Sequence, residues 1–235
     1  MRYTIREFPT LPSTNSHARE NAASLGHGDV ILARTQTSGR GRMDRTWISD
    51  EGGLYFTILL RPARTEFLAN MTQVLSLAIC RALEQIGVPA SVKWPNDVLV
   101  NGAKIAGILA ETVMEGGAVA ALALGAGINV NQDVLDVPGR TVTSLRGEGK
   151  SVTEDRLLDA VLGHFFTTYD LVAEQGFSAI REEYVAKLAM LGEEVCVDTG
   201  SERVRGTFLR VTYTGRLVLG LANASVREIC IGDIR

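Results

Sequence analysis

Val92-Lys-Trp-Pro-Asn-Asp97, running on through Val98-Leu-Val100 and an Asn101-Gly102 turn into Ala103-Lys-Ile-Ala-Gly107, decides the fold class. Asn-Gly suits the two positive-φ positions of a two-residue hairpin, so the flanking strands are expected to pair antiparallel in a fixed register. Val100 then opposes Ala103, Leu99 opposes Lys104 and Asp97 opposes Ala106. Because side chains alternate between faces, Asp97, Leu99, Lys104 and Ala106 are predicted on one side, with Asp97 and Lys104 as diagonal neighbours. A second turn, Gly116-Gly117, links strand-like runs at 104–113 and 118–124. Further runs at 29–35, 53–60, 91–94 and 141–145 alternate with helical periods at 15–25, 67–86, 153–174 and 178–190. The third helix is expected to open with the capping pattern Ser151-x-x-Glu154. The fold class is therefore α+β: a mixed, largely antiparallel sheet with packed helices.

After Gly192 the texture changes to short alternating runs at 194–197, 204–211, 217–219 and 225–229. These are too few for a sandwich and predict a small barrel of the SH3 type, dividing the chain into 1–190 and 191–235. With 46% hydrophobic and 22% charged residues, the 235-residue chain can bury a sizeable core without staples. Twenty-four Lys and Arg against 27 Asp and Glu leave a net charge of −3, so no global field holds a polyanion and any basic site is local. No apolar run reaches a membrane span, and Glu7, Pro9 and Pro12 interrupt the start, so no membrane partner and a cytoplasmic location are expected. Cys80, Cys196 and Cys230 are odd in number and widely spaced; they form no disulfide or zinc pattern and are expected in the core.

Several patterns carry no chemistry. Gly149-Lys150-Ser151 lacks the leading glycine of a phosphate loop, whose place is held by Ser144, and Gly125-Ala-Gly127 lacks the third glycine of a dinucleotide fingerprint. His17, His27 and His164 have no ligand spacing and read as surface or packing residues. Four stretches remain. Thr37 to Trp47 sets Arg40, Arg42 and Arg45 in a glycine-containing loop between strands, where guanidinium forks and backbone amides can surround phosphate oxygens and Trp47 can stack on a base. Asp97 and Lys104 share a face, as a salt bridge or as a site in which the carboxylate holds Mg²⁺ and the amine binds carboxyl oxygens. Leu124-Gly-Ala-Gly-Ile-Asn-Val-Asn131 removes side chains at Gly125 and Gly127, giving a bulge or a surface for a ligand. Ser13-Thr-Asn15 can cap a helix or bind a small polar head group.

Taken in order, Ser13-Thr-Asn15, Gln36 with Gly39-Arg-Gly-Arg42 and Trp47, Lys93-Trp-Pro-Asn-Asp97, Lys104-Ile-Ala-Gly107 and Gly125-Ala-Gly-Ile-Asn129 resemble the motifs of biotin protein ligases. The resemblance implies a catalytic domain of the type shared with lipoate ligases and class II aminoacyl-tRNA synthetases, followed by the C-terminal barrel. It implies that biotin and ATP form biotinyl-5′-adenylate, whose biotinyl group passes to one lysine of a biotin carboxyl carrier protein of acetyl-CoA carboxylase or a related carboxylase. By the same resemblance, Ser13, Thr14, Asn15 and Gln36 contact the biotin head group, and Gly39, Gly107, Gly125 and Gly127 line its pocket. Arg40 and Arg42 hold the phosphate, Trp47 packs near adenine, Lys93, Asn96, Asp97 and Asn129 serve ATP, Asp97 binds Mg²⁺, and Lys104 grips the reacting carboxylate and phosphate oxygens.

The physical logic agrees: a carboxylate attacking an α-phosphate brings two anions together, so cations must offset their repulsion and no protein nucleophile is needed. Met43-Asp44 departs from the arginine and glycine usual in such loops and puts adenylate retention in question. Lipoate ligation is the nearest alternative; the arginine-rich loop and the barrel favour biotin. A nucleic-acid-binding module is disfavoured by the net charge, and the dozen residues before Ser13 leave no room for a helix-turn-helix, so no specific DNA binding is expected. A homodimer is compatible with the resemblance.

Overall fold

The computed structural model describes residues 3–43, 45–61, 65–132, 139 and 141–235. Seven strands form the main sheet: β1 (Ile5–Leu11), β2 (Val30–Gln36), β3 (Gly53–Leu60), β4 (Ser91–Lys93), β5 (Asp97–Val100), β6 (Ala103–Glu115) and β7 (Ala118–Asn129). Their spatial order is β1-β2-β3-β7-β6-β5-β4. Only β1 and β2 run parallel, so the sheet is mixed and largely antiparallel, as expected.

Alternation along these strands builds a core on each face. Val30 and Leu32, with Leu54, Phe56, Ile58 and Leu60, face the large cluster under α2 (Met71–Gln85) and α3 (Glu154–Gln175). Ile31, Ala33, Leu59, Ala121 and Ala123 face the opposite way, against Ala18 of α1 (Thr14–Glu20) and the 3-10 turn that follows it. With both faces covered, β3 is buried along its whole length. The odd positions of β7 read Ala121, Ala123, Gly125, Gly127, Asn129, so the face that packs on α1 loses its side chains midway along the strand. That gap is where the candidate site lies.

The Asn101-Gly102 turn forms as predicted, with Val100 opposite Ala103 and Leu99 opposite Lys104. A bulge then shifts the register: Val98 faces Ala106, and Asp97 faces Gly107 instead of Ala106. The extra residue sends Ala106 to the large core and brings a residue without a side chain beside Asp97. The 141–145 run is not a strand; Val142 makes one isolated bridge to Lys104. The third helix is capped by Thr153, which accepts from the Arg156 amide at 3.4 Å, and not by Ser151. The fourth, α4 (Arg181–Ala186), is shorter than its period suggested. Of the cysteines only Cys80 is a core residue, where burial pushes its thiol up to about 12; Cys196 is half-buried and Cys230 exposed.

The C-terminal strands β8 (Glu194–Asp198), β9 (Arg203–Val211), β10 (Leu217–Gly220), β11 (Val226–Ile229) and β12 (Asp233–Ile234) form a second, antiparallel sheet in the order β11-β10-β9-β8-β12. No pairing joins β11 to β12 among the described residues, so the sheet is open where a closed barrel was expected. Its apolar side, including Val195, Phe208, Leu217 and Leu219, is continuous with the large core. The β9–β10 turn is stitched to the main body: Asn70 Nδ2 donates to Thr214 O at 3.0 Å, and Gln73 Nε2 and Trp94 Nε1 donate to Gly215 O at 2.8 and 3.1 Å. Among the described residues no helix is long and apolar enough to cross a membrane.

Candidate active site

One cleft over the glycine gap brings most of the predicted residues together: Ser13, Asn15 and Gln36 at one end, Asn96, Asp97 and Lys104 at the other, with Gly107, Gly125 and Gly127 as its floor. Residues 40–42 and 45–47 line it from the loop side, as a lid. The floor follows from register, since Gly107 faces Gly127 across β6 and β7, and Gly127 faces Tyr55 on β3. The indole of Trp47 lies in that gap: a Cβ on Gly127 would collide with its Nε1, and one on Gly107 would lie 2.9 Å from its Cζ3. The Trp47 Nε1 is buried with no hydrogen-bond partner, and the Lys104 ammonium sits 5.3 Å from the ring centroid.

At the first end a chain of polar groups is built around the start of α1. Ser13 caps the helix, its Oγ accepting from the Ser16 amide at 3.4 Å. The Thr14 amide donates to Gln36 Oε1 at 2.8 Å; Gln36 Nε2 in turn donates to Ser49 Oγ at 2.9 Å. The Thr57 hydroxyl donates to Asn15 Oδ1 at 2.7 Å, and Asn15 Nδ2 donates to Leu109 O at 3.1 Å and to Glu111 at 3.0 Å. Gly125 is required here for packing, because a Cβ would collide with Asn15 Oδ1. Gly39 likewise serves the loop crossing, where a Cβ would meet Ser49 Oγ and the Trp47 carbonyl.

At the second end Lys104 Nζ pairs with Asp97 Oδ1 at 2.6 Å, both side chains mostly buried. Arg42 reaches down from the loop to donate to Asn96 Oδ1 at 2.8 Å, while Asn96 Nδ2 holds the Ile108 carbonyl at 2.8 Å. Burial weakens the hold of the Arg42 guanidinium on its proton, opposed by the nearby carboxylates of Asp233 and Asp97. Arg45 pairs with Asp233 of β12 at 2.5 Å, tying the lid to the C-terminal sheet. Arg40 is turned the other way and pairs with Glu111 at 2.7 Å.

Four predicted residues do not line this cleft: Thr14 and Gly39 stand behind it, in the hydrogen-bond chain and the loop crossing just described, and Lys93 and Asn129 lie apart. Lys93 lines an adjoining cleft that shares Arg45, Asp97, Lys104 and Asp233 with the first. Asn129 is buried at the end of β7, on the same face as Gly125 and Gly127, its Nδ2 donating to the Thr143 carbonyl at 2.9 Å and its Oδ1 unpartnered. Asp44, half of the Met43-Asp44 departure, lies outside the described residues. Sequence reasoning missed Ser49, Thr57, Glu111 and Asp233; Glu111 alone carried a visible signal, as an acid at the end of an otherwise apolar strand segment.

The family model described as Biotin/lipoate A/B protein ligase matches residues 7–129. The chain belongs to that family. A Paracoccus denitrificans biotin–[acetyl-CoA-carboxylase] ligase is 37% identical over 216 residues, 88% of this chain and 90% of that protein. A bifunctional ligase/repressor of Bacillus subtilis is 32% identical, covering 95% of this chain and 71% of its own length. Among solved structures of the family, the Aquifex aeolicus biotin protein ligase in complex with biotin and ATP superposes with a TM-score of 0.88 at 31% identity, covering 99% of this chain and 97% of that one. The α+β fold is thus that of the biotin/lipoate ligases.

Proposed function

We infer that the protein is a biotin protein ligase, joining biotin and ATP into biotinyl-5′-adenylate with release of pyrophosphate and passing the biotinyl group to a lysine of a biotin carboxyl carrier protein. One observation carries the reading: a single cleft has a neutral hydrogen-bonding end, at Ser13, Asn15 and Gln36, and a cationic end, at Lys104 and Arg42. A ureido ring is uncharged and rich in donors and acceptors, whereas the reacting carboxylate and phosphate are anions, and the distribution of polar groups matches both.

In this reading the head group binds beside α1 over Gly125 and Gly127, displacing Trp47 from the floor, and the indole then packs against the adenine. Lys104 lies at the point where carboxylate and α-phosphate meet. Arg42 leaves Asn96 for the phosphate, which offsets the repulsion between the anions as they approach. Asn96, Asp97 and Lys93, with Asn129 at the end of β7, form the nucleotide side. Lid closure keeps water from the hydrolysable anhydride.

The donor set is compatible with Mg²⁺, since one carboxylate, Asp97, stands beside the expected phosphates and this ion is usually held by one or two carboxylates plus substrate oxygens. Bound there, it would neutralise phosphate charge. In the same reading, residues 1–190 are the adenylating domain and 191–235 an SH3-like domain, the chain works in the cytoplasm, and it forms no sequence-specific complex with DNA.

The test is pyrophosphate exchange into ATP with biotin and lipoate side by side, followed by transfer to a biotin carboxyl carrier domain. Biotin-dependent exchange and labelling of one carrier lysine are expected. Exchange with lipoate alone would replace the substrate, and exchange with neither would overturn the reading.

A further inference from the structure

Adenylate chemistry asks for cations, yet a carboxylate stands at the edge of the site. The Glu111 side chain is only 19% exposed and collects three donors: Arg19 Nη1 at 2.9 Å on Oε1, and Asn15 Nδ2 at 3.0 Å and Arg40 Nη2 at 2.7 Å on Oε2. These come from the start of α1, its last turn and the lid, all meeting on β6. Charge-assisted bonds of this length are among the stronger polar contacts in a protein.

We propose that Glu111 is a positioning residue, anchoring the first half of the lid through Arg40 and fixing the carboxamide of Asn15, so that the head-group end of the cleft is shaped before ligand arrives. The proposal rests on the biotin ligase reading for its substrate. Two features support it. Arg40 and Arg42 are two residues apart but have separate anchors, Arg40 on Glu111 and Ser16 Oγ, Arg42 on Asn96, so that the lid is held at two points. The guanidinium of Arg40, expected at the phosphate from sequence, is thereby committed to the lid's footing, leaving Arg42 and Lys104 as the cations nearer the reacting groups. On the other side, both Nδ2 hydrogens of Asn15 are used, by Leu109 O and Glu111, which fixes its Oδ1 toward Thr57. Through Thr57 Oγ1, 2.9 Å from Thr14 Oγ1, and Thr14 to Gln36 and Ser49, the chain of bonds reaches the Trp47 carbonyl at the far end of the lid. One carboxylate therefore orients both ends of the loop.

Glu111→Gln keeps the shape and removes the charge. In the ligand-free full chain, trypsin cleavage after Arg40, Arg42 and Arg45, followed by mass spectrometry, is expected to rise about tenfold, with melting temperature little changed. In pyrophosphate exchange, KM for biotin is expected to rise about tenfold while kcat stays within about threefold, the pattern of lost ground-state organisation. Arg40→Gln should reproduce both effects, with cleavage then compared after Arg42 and Arg45, and the double variant should be no worse than either single one. Unchanged cleavage in both single variants, increased cleavage with unchanged KM, or additive effects would overturn the proposal. If the wild-type protein shows no biotin-dependent exchange, the functional reading fails on its own, and cleavage still decides whether Glu111 anchors the lid.

Discussion

Replacing Lys104 by methionine separates its role in catalysis from its role in folding. The Nζ is 2.6 Å from Asp97 Oδ1 and 5.3 Å from the centroid of the Trp47 ring, with the Lys104 and Asp97 side chains 18% and 12% exposed. Methionine keeps most of the lysine stem. Losing a preorganised charge from developing negative charge costs about 10²–10³ in rate, or about 2.7–4 kcal/mol. The same change strands the Asp97 carboxylate; a fully buried unpaired charge costs about 3–5 kcal/mol, and the residual exposure reduces this to about 1–2 kcal/mol. For a chain of this size that lowers Tm by about 2–8 °C. Adding Asp97→Asn removes the stranded charge, so Lys104→Met/Asp97→Asn is expected to regain most of the lost Tm but none of the lost rate. Single-turnover adenylate formation, followed by quenching and separation of the product, is read beside a thermal melt. An unchanged adenylation rate in Lys104→Met, or its recovery in the double variant, would refute the assignment.

Arg42→Gly should still form adenylate but release it, because it removes the lid's tie to Asn96; labelling of bystander proteins measures this, and retained carrier selectivity would count against it. Burial holds His27 below its ordinary 6.5 despite Asp170, and its Nδ1 accepts the Arg61 amide at 2.8 Å, so the fold needs the neutral ring. Stability is therefore expected to be full above about pH 6.5 and to fall as acidification protonates the unfolded chain preferentially; His27→Asn should shallow that decline in urea melts between pH 7 and 5. Gly215 has φ +82, and a Cβ there would collide with Asn70 and Gln73, so Gly215→Ala is expected to cost about 2–4 kcal/mol in denaturant unfolding.

The antiparallel hairpin was legible because Asn101-Gly102 fixes it chemically, and most residues that the cleft gathers were legible because they lie in short contiguous motifs. The bulge was not, since Ile105 and Ala106 are both apolar and either suits the core. Strand β1 escaped notice because most of its residues are exposed and Pro9 interrupts the pattern, which an edge strand tolerates. Strand β12 has two residues, too few for any period, although it supplies Asp233 to the lid. Glu111 stands out as an acid after an apolar run, but its role does not: its partners Asn15, Arg19 and Arg40 lie 96, 92 and 71 residues away, and only the folded sheet brings them together.

The stitched β9–β10 turn also sets an order in time. Asn70 and Gln73 are synthesised 144 and 142 residues before the carbonyls that satisfy them, and Trp94 121 residues before its own. At ribosomal rates this is a wait of roughly 6–30 s, during which Gln73 Nε2 and Trp94 Nε1 lack the Gly215 carbonyl and Asn70 Nδ2 has only Gln73 Oε1, at 2.7 Å, to donate to. Helix α2 can pack on the sheet in that interval only by leaving polar atoms dry and unpaired. A nascent chain stalled before Thr214 is thus expected to be a client for chaperones rather than a finished enzyme lacking an accessory piece.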